Sequence, residues 1–203
     1  MRYSGLYLVT PDYSPGRFYD IVESAIAGGV DILQYRDKSN PKPLRLEVAN
    51  KLRSICRSSG IPFIVNDDPD VALDSAADGI HVGKDDVSYQ EARKAFRNGV
   101  VGVSVYGDVE MAVEYENLGA DYVSFGPFFP TPSKKDVTIY DISVLRQAHR
   151  RLKVPVFVIG GISEGNLSKV MDYGVDGVAV ISAIFNSNDP ESTARKLKKL
   201  VSG

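Results

Sequence analysis

Three short stretches hold most of the residues able to do chemistry. In Asp31-Ile-Leu-Gln-Tyr-Arg-Asp-Lys38 a strand period of two puts Gln34, Arg36 and Lys38 on one side, and Leu33, Tyr35 and Asp37 on the other. A guanidinium and an ammonium on the same side suit a phosphate. A strand whose last residues simply emerge into solvent would read the same way. The second stretch is a pair of acidic turns, Val65-Asn-Asp-Asp-Pro-Asp70 and His81-Val-Gly-Lys-Asp-Asp86. Two aspartates on neighbouring loops suit Mg2+, which takes few protein carboxylates and completes its shell with water and phosphate oxygens. Helix capping competes for them, with Asp67 or Asp68 before Pro69 and Asp86 or Ser88 before the next helix. Beside a cationic cluster, the metal reading of the pair is preferred. His81 has no second histidine near it in sequence, so zinc is not indicated.

The third stretch is Ile159-Gly-Gly-Ile-Ser163, followed by Asn166 and, further on, Ile181-Ser182. Glycines let backbone N–H groups approach phosphate oxygens, and a helix start adds a favourable dipole. A tight turn is the plainer alternative. Between these stretches runs Gly126-Pro-Phe-Phe-Pro-Thr-Pro-Ser-Lys-Lys-Asp136. It is either an irregular surface loop with solvated lysines or a flap that closes over an anion. Its prolines restrict Thr131 and Ser133 and would present Lys134 to a ligand, leaving Lys135 to solvent. Taken together, the pattern offers two anion sites. One is a phosphate site at Gly161, Ile181 and Ser182; the other is a metal-bound polyphosphate near Arg36, Lys38, Asn66, Asp67, Asp86 and Lys134. A transferase with a pyrophosphate leaving group needs this layout, because fixed cations and Mg2+ stabilise charge where it develops. No Ser-His-Asp, Cys-His or paired-carboxylate arrangement is found, so covalent catalysis is not indicated.

The elements that position these residues are short Val/Ile-rich runs alternating with amphipathic ones. Strands are expected at Leu6–Thr10, Asp31–Tyr35, Pro62–Asn66, Gly79–Val82, Val100–Ser104, Tyr122–Gly126, Val156–Gly160 and Gly177–Ile181. Helices are expected near 17–28, 41–58, 69–76, 88–97, 108–118, 141–152, 164–173 and 189–202. Unbroken alternation with apolar strands means a parallel sheet covered by helices, and eight units mean a compact (β/α)8 TIM barrel spanning 1–203 as one domain. Gly29-Val-Asp31, Ala77-Asp78-Gly79, Gly119-Ala-Asp121 and Gly174-Val-Asp176 introduce every second strand, an internal echo that supports closure. An open doubly wound sheet is the runner-up; it would need a topological switch point.

The composition sets outer limits. The 203 residues carry a net charge of −2, so no global field favours nucleic acid or an anionic membrane. Any anion must be held locally. The one cysteine, Cys56, excludes an intramolecular disulfide and sits in a helical pattern, which suggests packing rather than nucleophilic work. No apolar run reaches membrane-spanning length, and the opening MRYSGLYLVT lacks a signal-peptide profile, so the expected location is cytoplasmic. The subunit number stays open, a homo-oligomer included.

In order along nearly the whole chain, the residues resemble the thiamine-phosphate synthase family. The likeness runs through QYRDK (34–38), VNDDPDVAL (65–73), ADGIHVGKDD (77–86), GVSVY (102–106), GADYVSFGPFFPTPSKKD (119–136), GGI (160–162) and GVAVISAI (177–184). It implies a barrel that joins hydroxymethylpyrimidine diphosphate to hydroxyethylthiazole phosphate with Mg2+, releasing pyrophosphate. By position, Arg36, Lys38, Asn66 and Lys134 resemble the diphosphate ligands, and Asp67 and Asp86 the metal carboxylates. Gln34 and Ser104 resemble pyrimidine contacts, Thr131 and Ser133 resemble residues that shape the flap and thiazole pocket, and Gly161, Ile181 and Ser182 resemble the thiazole-phosphate site. Lys84 and Tyr106 depart from the pattern, standing where the family commonly has Gln and His. The rivals are a thiazole tautomerase on the same barrel, which relies on a histidine; a non-catalytic phosphate-ligand sensor; and an isomerase or epimerase, which would need a carboxylate pair inside opposite strands.

Overall fold

The computed structural model describes residues 3–84, 86–131 and 138–203. Its strands are β1 (Gly5–Val9), β2 (Ile32–Tyr35), β3 (Phe63–Asn66), β4 (Gly79–Val82), β5 (Val100–Tyr106), β6 (Tyr122–Phe125), β7 (Val156–Ile159) and β8 (Gly177–Val180). Between and after them run α1 (Phe18–Ala27), α2 (Lys42–Ser59), α3 (Pro69–Asp74), α4 (Tyr89–Ala95), α5 (Val109–Leu118), α6 (Val144–Arg151), α7 (Leu167–Met171), α8 (Ser182–Phe185) and α9 (Pro190–Ser202). Each strand pairs in parallel with its sequence neighbours, and β1 also pairs with β8, with Leu6 opposite Val178. The sheet closes, which removes the open-sheet alternative. The element sequence β1 to α9 follows the expected alternation, with one addition: α8, four residues directly after β8.

β-branched and aromatic residues fill both faces of the strands. Leu6, Leu8, Leu33, Phe63 and Val65 point outward under the helices, in the larger apolar cluster. Tyr7, Ile32, Ile64, Tyr122 and Phe157 point inward and form a second cluster inside the barrel. Three of these rings meet edge to face, at 5.9 Å for Tyr7–Tyr122, 5.4 Å for Tyr7–Phe157 and 5.3 Å for Tyr122–Phe157. Rings this large fit a small barrel because a neighbouring strand position is empty: a Cβ on Gly102 would lie 2.0 Å from Tyr122 Cζ. Gly102→Ala should therefore lower stability by about 1–3 kcal/mol through overpacking, visible as a lower Tm. An unchanged Tm would mean that the Tyr122 ring moves aside without cost.

The echoed aspartates have a second role beyond starting even-numbered strands. Asp31 Oδ2 accepts from Leu6 N at 2.7 Å, Asp78 Oδ2 from Phe63 N at 2.8 Å, Asp121 Oδ2 from Val101 N at 2.8 Å, and Asp176 Oδ2 from Val156 N at 2.9 Å. Each one satisfies an amide at or next to the start of the preceding odd strand, stitching strands in pairs at the N-terminal rim. Lys198, Arg53 and Arg93 neutralise the first three. Left-handed backbone ends the preceding turns at Gly29, Gly119 and Gly174, and Ala76 takes that conformation at φ 52° in the second repeat, where no glycine stands.

Candidate active site

The opposite, C-terminal rim opens onto a cavity of about 460 Å3. Its floor is polar, made by inward residues one register above the aromatic cluster: Gln34 on β2, His81 on β4, Ser104 on β5 and Ser124 on β6. The walls come from the strand ends and loops, including Arg36, Asn66, Lys84, Tyr106, Thr131 and Ile181.

Beyond β2 the predicted alternation holds. Gln34 and Arg36 face the cavity, while Tyr35 and Asp37 turn away. Asp37 accepts from the Tyr35 hydroxyl and from the amides of Tyr13, Ser39 and Asn40, which fixes the β2 loop and holds this carboxyl below the ordinary range despite burial. Lys38 Nζ lies 2.8 Å from Asp67 Oδ2 and 3.3 Å from Asp86 Oδ1, so one ammonium bridges carboxylates from the β3 and β4 loops. Asp12, beyond β1, accepts from Lys38 N at 3.0 Å and sits 3.5 Å from Arg36 Nη1.

The structure decides which of the candidate residues cap helices. Asp68 caps α3 by accepting from Val71 N, and Ser88 caps α4 in a reciprocal box with Glu91. Asp67 and Asp86 are left for the mouth of the barrel. Asp67 sits at φ 63°, in the left-handed region, which turns its carboxyl back toward Lys38. Burial, and then the facing Asp86, push the Asp67 carboxyl up to about 6. Burial acts on Asp86 in the same sense but is outweighed by Asp67, Lys38 and the Gly83 amide, so Asp86 stays below the ordinary range.

These two carboxylates pass a test for a hard divalent cation. Asp67 Oδ2 is buried with no well-directed hydrogen bond, since Lys38 approaches it as an ion pair off the hydrogen-bonding direction. Among the described residues no group of three or more His, Cys, Asp or Glu converges. Two oxygen ligands with room for water and phosphate oxygens suit Mg2+ rather than a closed structural metal.

Across the mouth, Gly160 (φ 102°) and Gly161 (φ 67°) form the turn after β7. Asn166 clamps it, donating to Gly161 O and accepting from Ser163 N, both at 2.9 Å. Ile181 and Ser182 follow β8 at the start of α8, the short extra helix found at many TIM-barrel phosphate sites. The β6 loop leans on this turn. Phe128 is buried in the outer core, Tyr140 N donates to Pro127 O at 3.0 Å, and Thr131 reaches the cavity wall. Ser133, Lys134 and Lys135 lie outside the described residues. Lys84 Nζ sits 5.4 Å over the Tyr106 ring, and Lys84 N donates to the Tyr106 hydroxyl at 3.4 Å. Cys56 is buried in α2, and burial pushes its thiol up to about 12, in keeping with a packing role.

Sequence reasoning missed Asp12 and set His81 aside. For Asp12 the signal was present, because Thr10-Pro11-Asp12 follows a strand toward the same rim.

A closed (β/α)8 barrel with its polar cavity on the βα loops defines a TIM-barrel enzyme. The family model described as thiamine monophosphate synthase matches residues 6–184. A thiamine-phosphate synthase of Thermoplasma acidophilum is 55% identical over 97% of this chain and 92% of that protein, and one of Picrophilus torridus is 46% identical over 98% of both. The solved thiamine phosphate pyrophosphorylase of Pyrococcus furiosus superposes with a TM-score of 0.88 at 35% identity, covering 98% of this chain and 95% of that one. The chain belongs to the thiamine monophosphate synthase family.

Proposed function

We propose that the protein condenses 4-amino-2-methyl-5-hydroxymethylpyrimidine diphosphate with 4-methyl-5-hydroxyethylthiazole phosphate, forming thiamine phosphate and pyrophosphate. The carrying observation is a cavity lined on one side by Arg36 and Asn66, next but one to Lys38 and next to Asp67 of the Lys38–Asp67–Asp86 cluster, and on the other by Gly160 and Ile181. Arg36, Lys38 and Asn66 hold the diphosphate, joined by Lys134 on the strength of its place in the sequence. Gln34 and Ser104 hold the pyrimidine, Thr131 and Ser133 border the thiazole, and the amides around Gly161, Ile181 and Ser182 receive its phosphate. Asp67 and Asp86 are the seat for Mg2+, which when bound would supply a double positive charge to the diphosphate oxygens.

The thiazole nitrogen is itself the nucleophile of this reaction, so the chain's task is ionisation and positioning. The C–O bond to the diphosphate breaks first, and its electron pair leaves with pyrophosphate. Arg36 and Lys38 stabilise that charge as it develops. The thiazole nitrogen, held in line from the opposite rim, then donates its lone pair to the pyrimidinylmethyl carbon. A tautomerase reading would need a free histidine; His81 has both ring nitrogens engaged and is held neutral by burial, to about 4. A cytoplasmic location belongs to the same reading, supported by a lone thiol, Cys56, that is buried and unpaired with another cysteine.

Purified protein given both substrates and Mg2+ should release pyrophosphate and thiamine phosphate in equal amounts. Normal thiazole-phosphate binding without either product would overturn the synthase reading in favour of the tautomerase or sensor.

A further inference from the structure

Beneath the cavity runs an unbroken buried chain of hydrogen bonds. Gln34 Nε2 donates to the Tyr7 hydroxyl at 2.9 Å, and the Tyr7 and Tyr122 hydroxyls are 2.8 Å apart. Tyr122 Oη lies 2.9 Å from His81 Nδ1, and His81 Nε2 lies 2.9 Å from Ser104 Oγ. These contacts come from five different strands. Gln34, Tyr7, His81 and Ser104 all line the cavity floor, and Tyr122, buried beneath it, joins Tyr7 to His81.

Each hydroxyl has one hydrogen, so when every link of the buried chain is satisfied the bonds run in one direction. Tyr7 oxygen accepts from Gln34, so the Tyr7 hydrogen goes to Tyr122. The Tyr122 hydrogen then goes to His81 Nδ1. With Nδ1 accepting, the ring carries its hydrogen on Nε2 and donates to Ser104. Ser104 Oγ already accepts, so its own hydrogen is directed at the cavity or at the distant Ser124 Oγ, 3.5 Å away. At the far end the Gln34 carbonyl oxygen is left to accept. Turning over the Gln34 amide would reverse every bond and move the ring hydrogen to Nδ1.

We propose that this chain fixes donor and acceptor polarity at both ends, making Tyr7, Tyr122 and His81 positioning residues that select an aminopyrimidine over its 4-oxo counterpart. The selection rests on the proposed placement of the pyrimidine on Gln34 and Ser104. An amino group donates to the Gln34 carbonyl while a ring nitrogen accepts from Ser104. A 4-oxo ring presents an acceptor and an N–H donor at the same edge, which meets like groups at both ends. The coupling matters because neither end can reverse alone.

Two measurements test this on the full chain. In 15N-histidine-labelled protein at pH 7, with His149→Gln identifying the second ring, His81 should be neutral with its hydrogen on Nε2. A hydrogen on Nδ1 or a protonated ring overturns the assigned direction. Calorimetric titration with the aminopyrimidine diphosphate and with its 4-oxo analogue should show wild type preferring the former at least about tenfold, the size of one directed hydrogen bond. Tyr122→Phe, which keeps the ring and deletes the relay hydroxyl, should erase most of that preference and leave thiazole-phosphate binding unchanged. A Tyr122→Phe protein with a lower Tm and an intact preference, or a wild type that binds both rings equally, would reduce the chain to a structural network. Because binding is read without turnover, an inactive wild type that retains the preference would refute the synthase reading and leave this one standing.

Discussion

Asp67→Asn should abolish turnover while raising the Tm of the metal-free protein. The two effects share one cause. Asp67 and Asp86 face each other at the barrel mouth with a single ammonium, Lys38, between them. Burial and the neighbouring carboxylate disfavour the ionised Asp67, which is why its carboxyl is pushed up to about 6. Asparagine removes that like charge and tolerates the left-handed backbone, φ 63°, better than most residues. Lys38 then keeps Asp86 as its partner. The gain should be on the order of 2–4 °C, equivalent to about 1 kcal/mol for a chain of this size. Its pH dependence has a definite sign. The native pKa is raised, so the penalty borne by wild type is fully present above about 6 and vanishes below the ordinary carboxylate range. The advantage of Asn over Asp should therefore shrink as pH falls from 7.5 to 4. Turnover should fall to the abolished level, at least about 100-fold down, because Asn weakens the seat for the cation that would stabilise the charge developing on the leaving group. Thermal melts without metal and steady-state rates with Mg2+ check both halves. A lower Tm would make the pair a structural clasp, and retained turnover would place the metal seat elsewhere.

The same pair marks how far the sequence could be read. Eight apolar β-branched runs separated by amphipathic ones leave little choice but a covered parallel sheet, and the strands fall within a residue of where the pattern puts them except β5, which runs two residues further, to Tyr106. Caps and ligands were harder to separate, because Asp67 and Asp68 are chemically the same and adjacent. Only the backbone decides that Asp68 takes the cap and Asp67 turns inward. Ser88 was more legible, since Glu91 completes a capping box three residues on. The helix α8 was invisible, as four residues carry no measurable period. The buried chain through Tyr7, Tyr122 and His81 was invisible for another reason. Strand periodicity says which residues point inward, but Tyr7 and Tyr122 are 115 positions apart, and barrel stagger decides which inward side chains meet. The role of Asp12 was not legible because its partners, Lys38 N and Arg36 Nη1, lie on the β2 loop, and only the pairing of β1 with β2 brings them together.

Gly161→Ala should raise the KM for thiazole phosphate at least about tenfold, a loss of about 1.4 kcal/mol, and change binding of the pyrimidine diphosphate by less than about twofold. Gly161 holds φ 67°, where an L side chain is strained, and its missing Cβ is the contact point between two loops. An added methyl would lie 2.4 Å from Pro130 O and 2.6 Å from Phe129 O. Both are backbone atoms at the root of the β6 loop, so the loop or the turn must shift rather than a side chain swing away. That shift would separate Thr131 from the Ile181–Ser182 corner and spoil the amide geometry proposed for the thiazole phosphate. Arg36, Lys38 and Asp86 hang from β2 and β4, away from the strained turn, which is why the diphosphate side should stay intact. Gly165→Ala is the matched control, in the same loop but with nothing within 4 Å of the added methyl. Titration of each substrate separately against both variants reads the split. If Gly161→Ala weakens both substrates equally, the turn supports the whole barrel mouth. If it weakens neither, the thiazole phosphate binds away from β7 and β8.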